Sequence, residues 1–390
     1  MISPMTDTPP AAPHATPRMK PWIAQIRAYI PGRSAGADGR ELIKLSANEN
    51  PLGCSPLATD VLQQSRATAL YPDPDSGALR ERLGQIHGID PALIVCGTGS
   101  GELLNCAVQA FAGRDDTGTG NSGPDEIIFS RYAFSLYPLL AHKVGAKAVL
   151  APDSDYAASV DALLDAVTPR TRVMLLDNPN NPTGTYLPHA EVERLHAGLP
   201  GDVLLVLDQA YAEYLPGEDA ARALMMAAQH QNVLVTRTFS KIFGLAGERI
   251  GWATGAPGLI DALNRLRGPF NVSASGQVAA LAALGDQAFL DRSRQHNSLE
   301  RDRFATAIAT LGNRGIRALP SEANFLLVLF DGELDAATAL DGLAHKGYAV
   351  RHLPGQGLAN GLRITVGKRE DMEAIAAAIT EMADSANPPA

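Results

Sequence analysis

The residues around Lys241 combine side-chain types that are suited to covalent chemistry. Lys241 follows an apolar run at 233–235 and precedes an apolar run broken by glycine, so its amine is expected to be partly desolvated. Desolvation disfavours the ammonium form and lowers the pKa, which frees the amine as a nucleophile of the kind that forms Schiff bases. Thr238, Ser240 and Arg249 could hold a phosphate beside this amine. A phosphate next to a reactive amine suggests pyridoxal phosphate as a cofactor.

Two polar segments, 177–184 and 208–211, follow apolar runs that read as strands. A pyridine nitrogen stays protonated only beside a carboxylate, and the protonated ring is an electron sink, so Asp208 suits that position. Asn181 and Tyr211 could each donate a hydrogen bond to the phenolic oxygen of the cofactor. Taken singly, the first segment fits a tight turn and Asp208 fits a helix cap as well or better.

A glycine-rich turn at 97–102 lies between a strand-like run and a helical apolar pattern. The start of a helix binds anions, because its free N–H groups point outward and its dipole favours negative charge. A dinucleotide-binding turn would require a third glycine at the position of Glu102. We therefore interpret the turn, with Ser100 and Gly101, as a cup for the phosphate of pyridoxal phosphate.

These motifs and their order along the chain resemble fold-type I pyridoxal-phosphate aminotransferases, and more narrowly the histidinol-phosphate branch. The resemblance runs from about Pro21 to the last helix. It implies that Lys241 carries the cofactor and moves a proton between substrate and cofactor, with Asp208 and Tyr211 assisting. Members of this family commonly have an acidic residue where this chain has Gly101. Backbone contacts at position 101 remain implied, but side-chain contacts do not.

The same resemblance implies two roles for aromatic residues. Phe134 is the first candidate for stacking on the pyridine ring, Tyr132 is the second, and Tyr137 fits a core position equally well. Tyr71 opens the segment 71–74, which resembles the motif whose tyrosine reaches the cofactor phosphate of a neighbouring subunit. The resemblance therefore implies a homodimer with shared sites.

Substrate-binding residues are implied at three places. Asn48 lies in the polar segment 46–53, which resembles the lining of the substrate entrance but is also compatible with a plain turn. Arg363 lies in 362–367, which resembles the motif that binds the substrate anion. Arg351 occupies the position of a second basic residue in this branch, although a surface arginine on a strand is an equally good interpretation.

The activity implied is transamination of histidinol phosphate with 2-oxoglutarate, which yields imidazole acetol phosphate and glutamate in histidine biosynthesis. An aromatic amino-acid aminotransferase is the nearest alternative, because the same lysine, asparagine, aspartate and arginine would serve it. A phosphothreonine decarboxylase of the same fold and a pyridoxal-phosphate-binding protein without turnover are more distant alternatives.

Apolar strand-like runs that alternate with helical patterns predict an α/β fold, with a large domain built on a mostly parallel sheet covered on both faces. Beyond Gly268, longer helical patterns and shorter strands predict a smaller α/β domain. The predicted division is a disordered tail (1–20), an N-terminal segment that packs with the small domain (21–70), the large cofactor-binding domain (71–270) and the small C-terminal domain (271–390). A surface insertion is predicted at 113–125, where Gly, Asp, Asn, Ser and Thr dominate.

Composition limits the classes of partner. Of 390 residues, 45% are hydrophobic and 19% charged, as in ordinary globular enzymes. A net charge of -9 without a basic run argues against binding to nucleic acid or to an anionic membrane surface, and no apolar run is long enough to span a membrane. Three cysteines without CxxC spacing favour a reducing cytoplasm, and no metal site is predicted.

Overall fold

The computed structural model describes residues 19–24, 26, 39–64, 69–114 and 123–386. Most of the predicted tail and the centre of the predicted insertion, residues 1–18 and 115–122, lie outside the described residues. Two short segments, 27–38 and 65–68, also lie outside them, as do residue 25 and residues 387–390.

The strands are β1 (Ile43–Lys44), β2 (Ile94–Gly97), β3 (Glu126–Ser130), β4 (Lys147–Ala151), β5 (Thr171–Asp177), β6 (Leu204–Asp208), β7 (Val233–Thr238), β8 (Gly251–Gly255), β9 (Ile316–Ala318), β10 (Phe325–Phe330), β11 (Tyr348–Ala349), β12 (Arg351–Leu353) and β13 (Leu358–Thr365). The helices are α1 (Pro56–Gln64), α2 (Gly77–His87), α3 (Ser100–Phe111), α4 (Leu136–Val144), α5 (Val160–Asp165), α6 (His189–Gly198), α7 (Gly217–Gln229), α8 (Pro257–Leu266), α9 (Ala274–Leu284), α10 (Gln287–Ala309), α11 (Ala336–His345) and α12 (Arg369–Ala386).

The main sheet has the strand order β2-β8-β7-β6-β5-β3-β4. Strand β8 runs antiparallel to both of its neighbours, and the other pairings are parallel. Its central strands are apolar over nearly their whole length, because helices cover both faces and both sets of side chains are buried. The predicted α/β fold with a mostly parallel sheet is confirmed.

Three central strands end at the same edge of this sheet. Strands β5, β6 and β7 finish at Asp177, Asp208 and Thr238, and Asp177 is the register partner of Asp208. Ligands bind outside the carboxyl ends of strands in open α/β sheets, because the loops that follow parallel strands converge there. The sheet therefore brings together motifs that lie 30 to 60 residues apart, on the order of the length of a βαβ unit.

A second sheet has the order β12-β13-β10-β9 and is antiparallel throughout. Helices α10, α11 and α12 contribute side chains to its hydrophobic core. Strand β1 pairs in parallel with β11 and brings the N-terminal segment to this part of the molecule. The prediction of one strand over 349–351 was wrong, because buried Val350 separates β11 from β12 and the two strands belong to different sheets.

Helix α9 and the start of α10 lie on the main sheet. Ala279, Ala283 and Phe289 belong to the hydrophobic cluster on one of its faces, together with side chains of the central strands. The division into domains at residues 70 and 270 stays a prediction. Within the described residues, no helix combines the length and the apolar character that a membrane crossing would require.

Candidate active site

Lys241 lies just beyond β7, and its environment depresses its basicity. Its Nζ donates to the carbonyl of Ala47 at 3.2 Å and lies 5.7 Å from the ring centroid of Tyr211. Burial lowers the pKa of Lys241 to about 7, and the guanidinium groups of Arg363 and Arg249 act in the same direction. The predicted desolvation is confirmed, and a large share of the amine is neutral near pH 7.

A polar cradle lies beside this amine. Thr238 Oγ1 donates to Ser240 Oγ at 2.9 Å, and Arg249 Nη1 lies 3.3 Å from the same Ser240 oxygen. Gly99, at φ +77°, precedes the first residue of α3, Ser100, and a Cβ there would come within 2.6 Å of Arg249 Nη2. The missing side chain lets the guanidinium approach the start of the helix. Hydroxyls, a guanidinium and free helix amides converge there, as a phosphate requires.

Glu102 stabilises the glycine-rich turn by accepting hydrogen bonds from it and from a neighbouring loop. Its Oε2 accepts from the Thr98 amide at 2.6 Å and from Asn271 Nδ2 at 2.8 Å. Burial opposes ionisation, but these hydrogen bonds outweigh it and lower the pKa of Glu102. A Cβ at Gly101 would meet Leu136 at an ordinary 3.6 Å, so packing does not require glycine at that position.

Asp208 is buried at the end of β6 and accepts a hydrogen bond on each oxygen. Tyr137 Oη donates to Oδ2 at 3.2 Å, and Thr236 Oγ1 donates to Oδ1 at 3.2 Å. Sequence reasoning missed both partners. Thr236 could have been found from its position two residues before Thr238, on the same face of β7, and Tyr137 from the need of a buried phenol for a partner.

Asp177 is a second buried carboxyl at this edge. Its Oδ2 accepts from the Asn181 amide at 2.8 Å, and its Oδ1 accepts from Asn180 Nδ2 at 3.2 Å. Burial raises the pKa of Asp177, and the neighbouring charge of Asp208 adds to this effect. Burial likewise raises the pKa of Asp208. The sequence prediction treated Asp177 only as the first residue of a turn motif. In the structure it ends buried β5 and is the register partner of Asp208, which ends β6.

Asn181 and Tyr211 are each oriented by a partner from a distant part of the chain. Asn181 Oδ1 accepts from Arg363 Nη1, which leaves its NH₂ group free to donate. Tyr211 Oη accepts from Asn48 Nδ2 at 2.8 Å, and burial raises the pKa of Tyr211 to about 12. Asn48 has φ +57°, a left-handed conformation that asparagine tolerates, and its amide donates to Thr365 Oγ1 at 3.0 Å.

The three aromatic candidates for stacking on the pyridine ring occupy different environments. Phe134 lines both cavities described below and meets the Tyr137 ring edge-on at 5.9 Å. Tyr132 stacks instead on Tyr156 at 5.4 Å and, in the described part of the chain, does not line either cavity. Tyr137 is fully buried, so its ring belongs to the core while its hydroxyl serves Asp208.

Two adjoining cavities meet at Lys241. The inner cavity, of about 340 Å³, is lined by most of the predicted cofactor residues, namely Ser100, Gly101, Phe134, Asn181, Asp208, Tyr211, Thr238, Ser240, Lys241 and Arg249. Its lining combines the phosphate cradle, the buried carboxyls of Asp177 and Asp208, and the amine of Lys241. These residues fit pyridoxal phosphate. The outer cavity, of about 620 Å³, shares Phe134, Asn181 and Lys241 with the inner one.

The two predicted substrate arginines line the outer cavity. Arg351 and Arg363 are register partners on β12 and β13, so their side chains project from the same face of the sheet. Arg363 Nη2 donates to the Ser46 carbonyl at 2.7 Å, and its guanidinium lies 5.3 Å from the ring centroid of Phe325. A planar guanidinium held in this way presents a fixed cation to the cavity.

Within the described residues, Tyr71 is the one predicted site residue that lines neither cavity. Its side chain is 82% exposed and stacks on Phe270 with a centroid separation of 4.5 Å. Neither cavity includes Tyr71 among the lining residues of the described chain. Within one subunit, therefore, Tyr71 does not complete the cradle.

A mostly parallel sheet that brings a lysine, a phosphate cradle and a buried carboxyl to one cavity defines the class of fold-type I pyridoxal-phosphate enzymes, and the comparisons agree. The chain belongs to the aminotransferase class I and II family, whose model matches residues 40–379. It is 62% identical over 370 residues to the histidinol-phosphate aminotransferase of Erythrobacter litoralis, covering 95% of this chain and 98% of that protein. It is 54% identical over 373 residues to the enzyme of the same name from Zymomonas mobilis, with coverages of 95% and 98%.

A solved structure is similar over nearly the whole chain. The histidinol-phosphate aminotransferase of Sinorhizobium meliloti, in complex with pyridoxal-5'-phosphate, superimposes with a TM-score of 0.84 at 30% identity. The match covers 95% of this chain and 99% of that one. The family resemblance inferred from the motifs is confirmed.

Proposed function

We propose that this chain is a pyridoxal-phosphate aminotransferase that converts histidinol phosphate and 2-oxoglutarate into imidazole acetol phosphate and glutamate. The observation that carries the proposal is the position of Lys241, whose pKa burial lowers to about 7, between a phosphate cradle and buried Asp208. Its relatives at 62% and 54% identity support the choice of substrate. When bound, the cofactor supplies an electron sink that stabilises negative charge at the substrate carbon.

The inner cavity supplies groups for each part of the cofactor. The proposed holders are Ser100, Gly101, Thr238, Ser240 and Arg249 for the phosphate, Asp208 for the ring nitrogen, Asn181 and Tyr211 for the phenolic oxygen, and Phe134 for the ring face. Tyr137 and Thr236 act through Asp208, because their hydrogen bonds to its two oxygens fix the orientation of the carboxylate. A carboxylate fixed in this way would already be oriented to hold the ring nitrogen, with no rearrangement of the protein.

Lys241 is the proposed proton carrier. A general base works best when its pKa lies near the working pH, because it can then both take and return a proton. The lowered pKa of Lys241 meets this condition. Its amine lies where the two cavities join, so it can reach a substrate carbon held between them.

The outer cavity is proposed to bind both substrates in turn. Arg363 suits the side-chain carboxylate of glutamate and the phosphate of histidinol phosphate, because its fork can donate two parallel hydrogen bonds to either anion. Arg351, opposite it on the neighbouring strand, adds a second cation for the phosphate. Asn48 lines the same cavity and orients Tyr211.

We also propose a homodimer in which Tyr71 reaches the phosphate of the neighbouring site. Leu70 and Tyr71 are 77% and 82% exposed, and Phe270 beside them is 39% exposed. Adjacent exposed large side chains of this kind are typical of an interface.

Cytoplasmic residence is proposed as well, since Cys54, Cys96 and Cys106 are all free thiols.

Half-reactions measured separately test the proposed substrate. The purified enzyme is loaded with pyridoxal phosphate, and bleaching of its visible band is followed after mixing with histidinol phosphate, glutamate, phenylalanine or tyrosine. We expect efficient bleaching by histidinol phosphate and by glutamate. Preference for phenylalanine or tyrosine would favour an aromatic aminotransferase, and binding of cofactor without bleaching by any donor would favour a non-catalytic protein.

A further inference from the structure

The residues that lead into the outer cavity alternate between core and cavity. Leu45 is buried in the core of the small sheet, its amide donates to the Ala349 carbonyl at 2.8 Å, and its carbonyl accepts from the Thr365 amide at 2.9 Å. Successive side chains of an extended segment point in opposite directions. Lys44 and Ser46, on either side of Leu45, therefore face the cavity, and both line it.

Lys44 brings a further positive charge to a cavity that is already cationic. The cationic side chains in its lining are Lys44, Lys241, Arg351 and Arg363, and no carboxylate belongs to that lining among the described residues. Lys44 is the register partner of Ala349, two residues before Arg351, so β1 delivers its side chain to the edge where Arg351 begins β12. In a chain of net charge -9, this concentration of cations favours an anionic ligand of more than one charge.

The present partner of Lys44 is weakly held. Lys44 Nζ lies 2.8 Å from Glu49 Oε1, and the two side chains are 49% and 42% exposed. Exposed ion pairs of this kind stabilise a protein little, because water screens the charges and both side chains lose conformational freedom. A dianion inside the cavity can therefore compete with Glu49 for the ammonium group.

We propose that Lys44 is a specificity-determining residue that leaves Glu49 to bind the phosphate of the substrate, as a third cation beside Arg351 and Arg363. This inference rests on the proposed function. A phosphate monoester carries close to two charges and three acceptor oxygens, whereas the glutamate carboxylate carries one charge and is largely satisfied by one guanidinium fork. Lys44 should therefore favour the phosphate substrate over glutamate.

The test compares both half-reactions in matched variants. Lys44→Met should lower kcat/KM for histidinol phosphate about tenfold, which corresponds to the lower end of a charge-assisted contact, and change that for glutamate less than about twofold. Lys44→Arg should restore most of the loss. Lys346→Met is the control, because Lys346 forms an exposed pair with Glu381 at the same 2.8 Å and lies outside both cavity linings. It should leave both half-reactions unchanged.

The Glu49→Gln variant distinguishes phosphate binding by Lys44 from a purely structural role of the Lys44–Glu49 ion pair. The concentration dependence of bleaching yields the apparent Kd for each donor. The ratio of the Kd for histidinol phosphate to that for glutamate should fall in Glu49→Gln and rise in Lys44→Met, because the first variant releases the ammonium and the second removes it. Glu49 also lines the inner cavity and raises the pKa of Lys241, and the ratio cancels this effect because both donors react at the same amine. A ratio that rises in both variants, or equal losses with both donors in Lys44→Met, would overturn the inference. Failure of the wild type to react with histidinol phosphate would overturn the proposed function instead, before any variant is compared.

Discussion

Removing one carboxyl from the Asp177–Asp208 pair should stabilise the cofactor-free protein at alkaline pH. The two residues are register partners at the ends of adjacent parallel strands, and both are buried. Such strands lie about 4.8 Å apart, and two charges about 5 Å apart repel by about 3 kcal/mol at an effective dielectric constant of about 20. In Asp177→Asn one acceptor oxygen is lost, which costs about 1 kcal/mol because Asn180 and Asn181 both donate to Asp177. The net gain is at least about 2 kcal/mol, since the variant also removes the cost of burying the Asp177 charge, which is the main cause of its raised pKa.

The sign of this effect depends on pH. Burial raises the pKa of Asp208 from 3.8 to about 6 and that of Asp177 from 3.8 to about 8. In this range the folded state binds more protons than the unfolded state, so the free energy of unfolding falls as pH rises. The stabilising contribution of the protonated pair is complete below about pH 4 and is lost as pH rises through the folded-state pKa values.

Urea unfolding of the cofactor-free protein at pH 5 and pH 8.5, at one protein concentration, measures this difference. The free energy of unfolding of Asp177→Asn should exceed that of the wild type by at least about 2 kcal/mol at pH 8.5, whereas at pH 5 the gain should vanish or reverse. Asp202→Asn removes a carboxyl that is 74% exposed and should change neither value by more than about 0.5 kcal/mol. The same offset at both pH values, or a loss at pH 8.5, would refute the reasoning.

Three further predictions concern the catalytic roles. Lys241→Ala should abolish transamination while cofactor retention, measured by equilibrium dialysis, persists, because the phosphate cradle is intact; near wild-type turnover would contradict the role of Lys241. Tyr71→Phe should weaken cofactor affinity, and mixing it with Lys241→Ala subunits should restore activity, since one site of each mixed dimer carries neither defect. Mixed dimers without activity would contradict a shared site. Arg363→Ala should impair both half-reactions, whereas Arg351→Ala should lower kcat/KM about ten- to a hundredfold for histidinol phosphate in particular, as stopped-flow bleaching would measure.

The sequence by itself predicted the fold class and the contiguous motifs of the site. The central strands of the main sheet are apolar over nearly their whole length, because helices cover both faces of the sheet. This pattern is visible in the sequence alone. The chemistry of Lys241 and the position of Asp208 at a strand end follow from neighbouring residues in the chain. The lowered pKa of Lys241 could be predicted in direction for the same reason.

Only the tertiary structure decided which distant groups support these residues. Tyr137 lies 71 positions before Asp208, and Asn48 lies 163 positions before Tyr211, so no local pattern connects them. The pairing of Asp177 with Asp208 depends on strand order and register, and the exposure of Lys44 to the cavity depends on the parallel pairing of β1 with β11. Local sequence determines which segments form strands and turns. The packing of the sheets determines which side chains meet, because those contacts join segments that are far apart in the sequence.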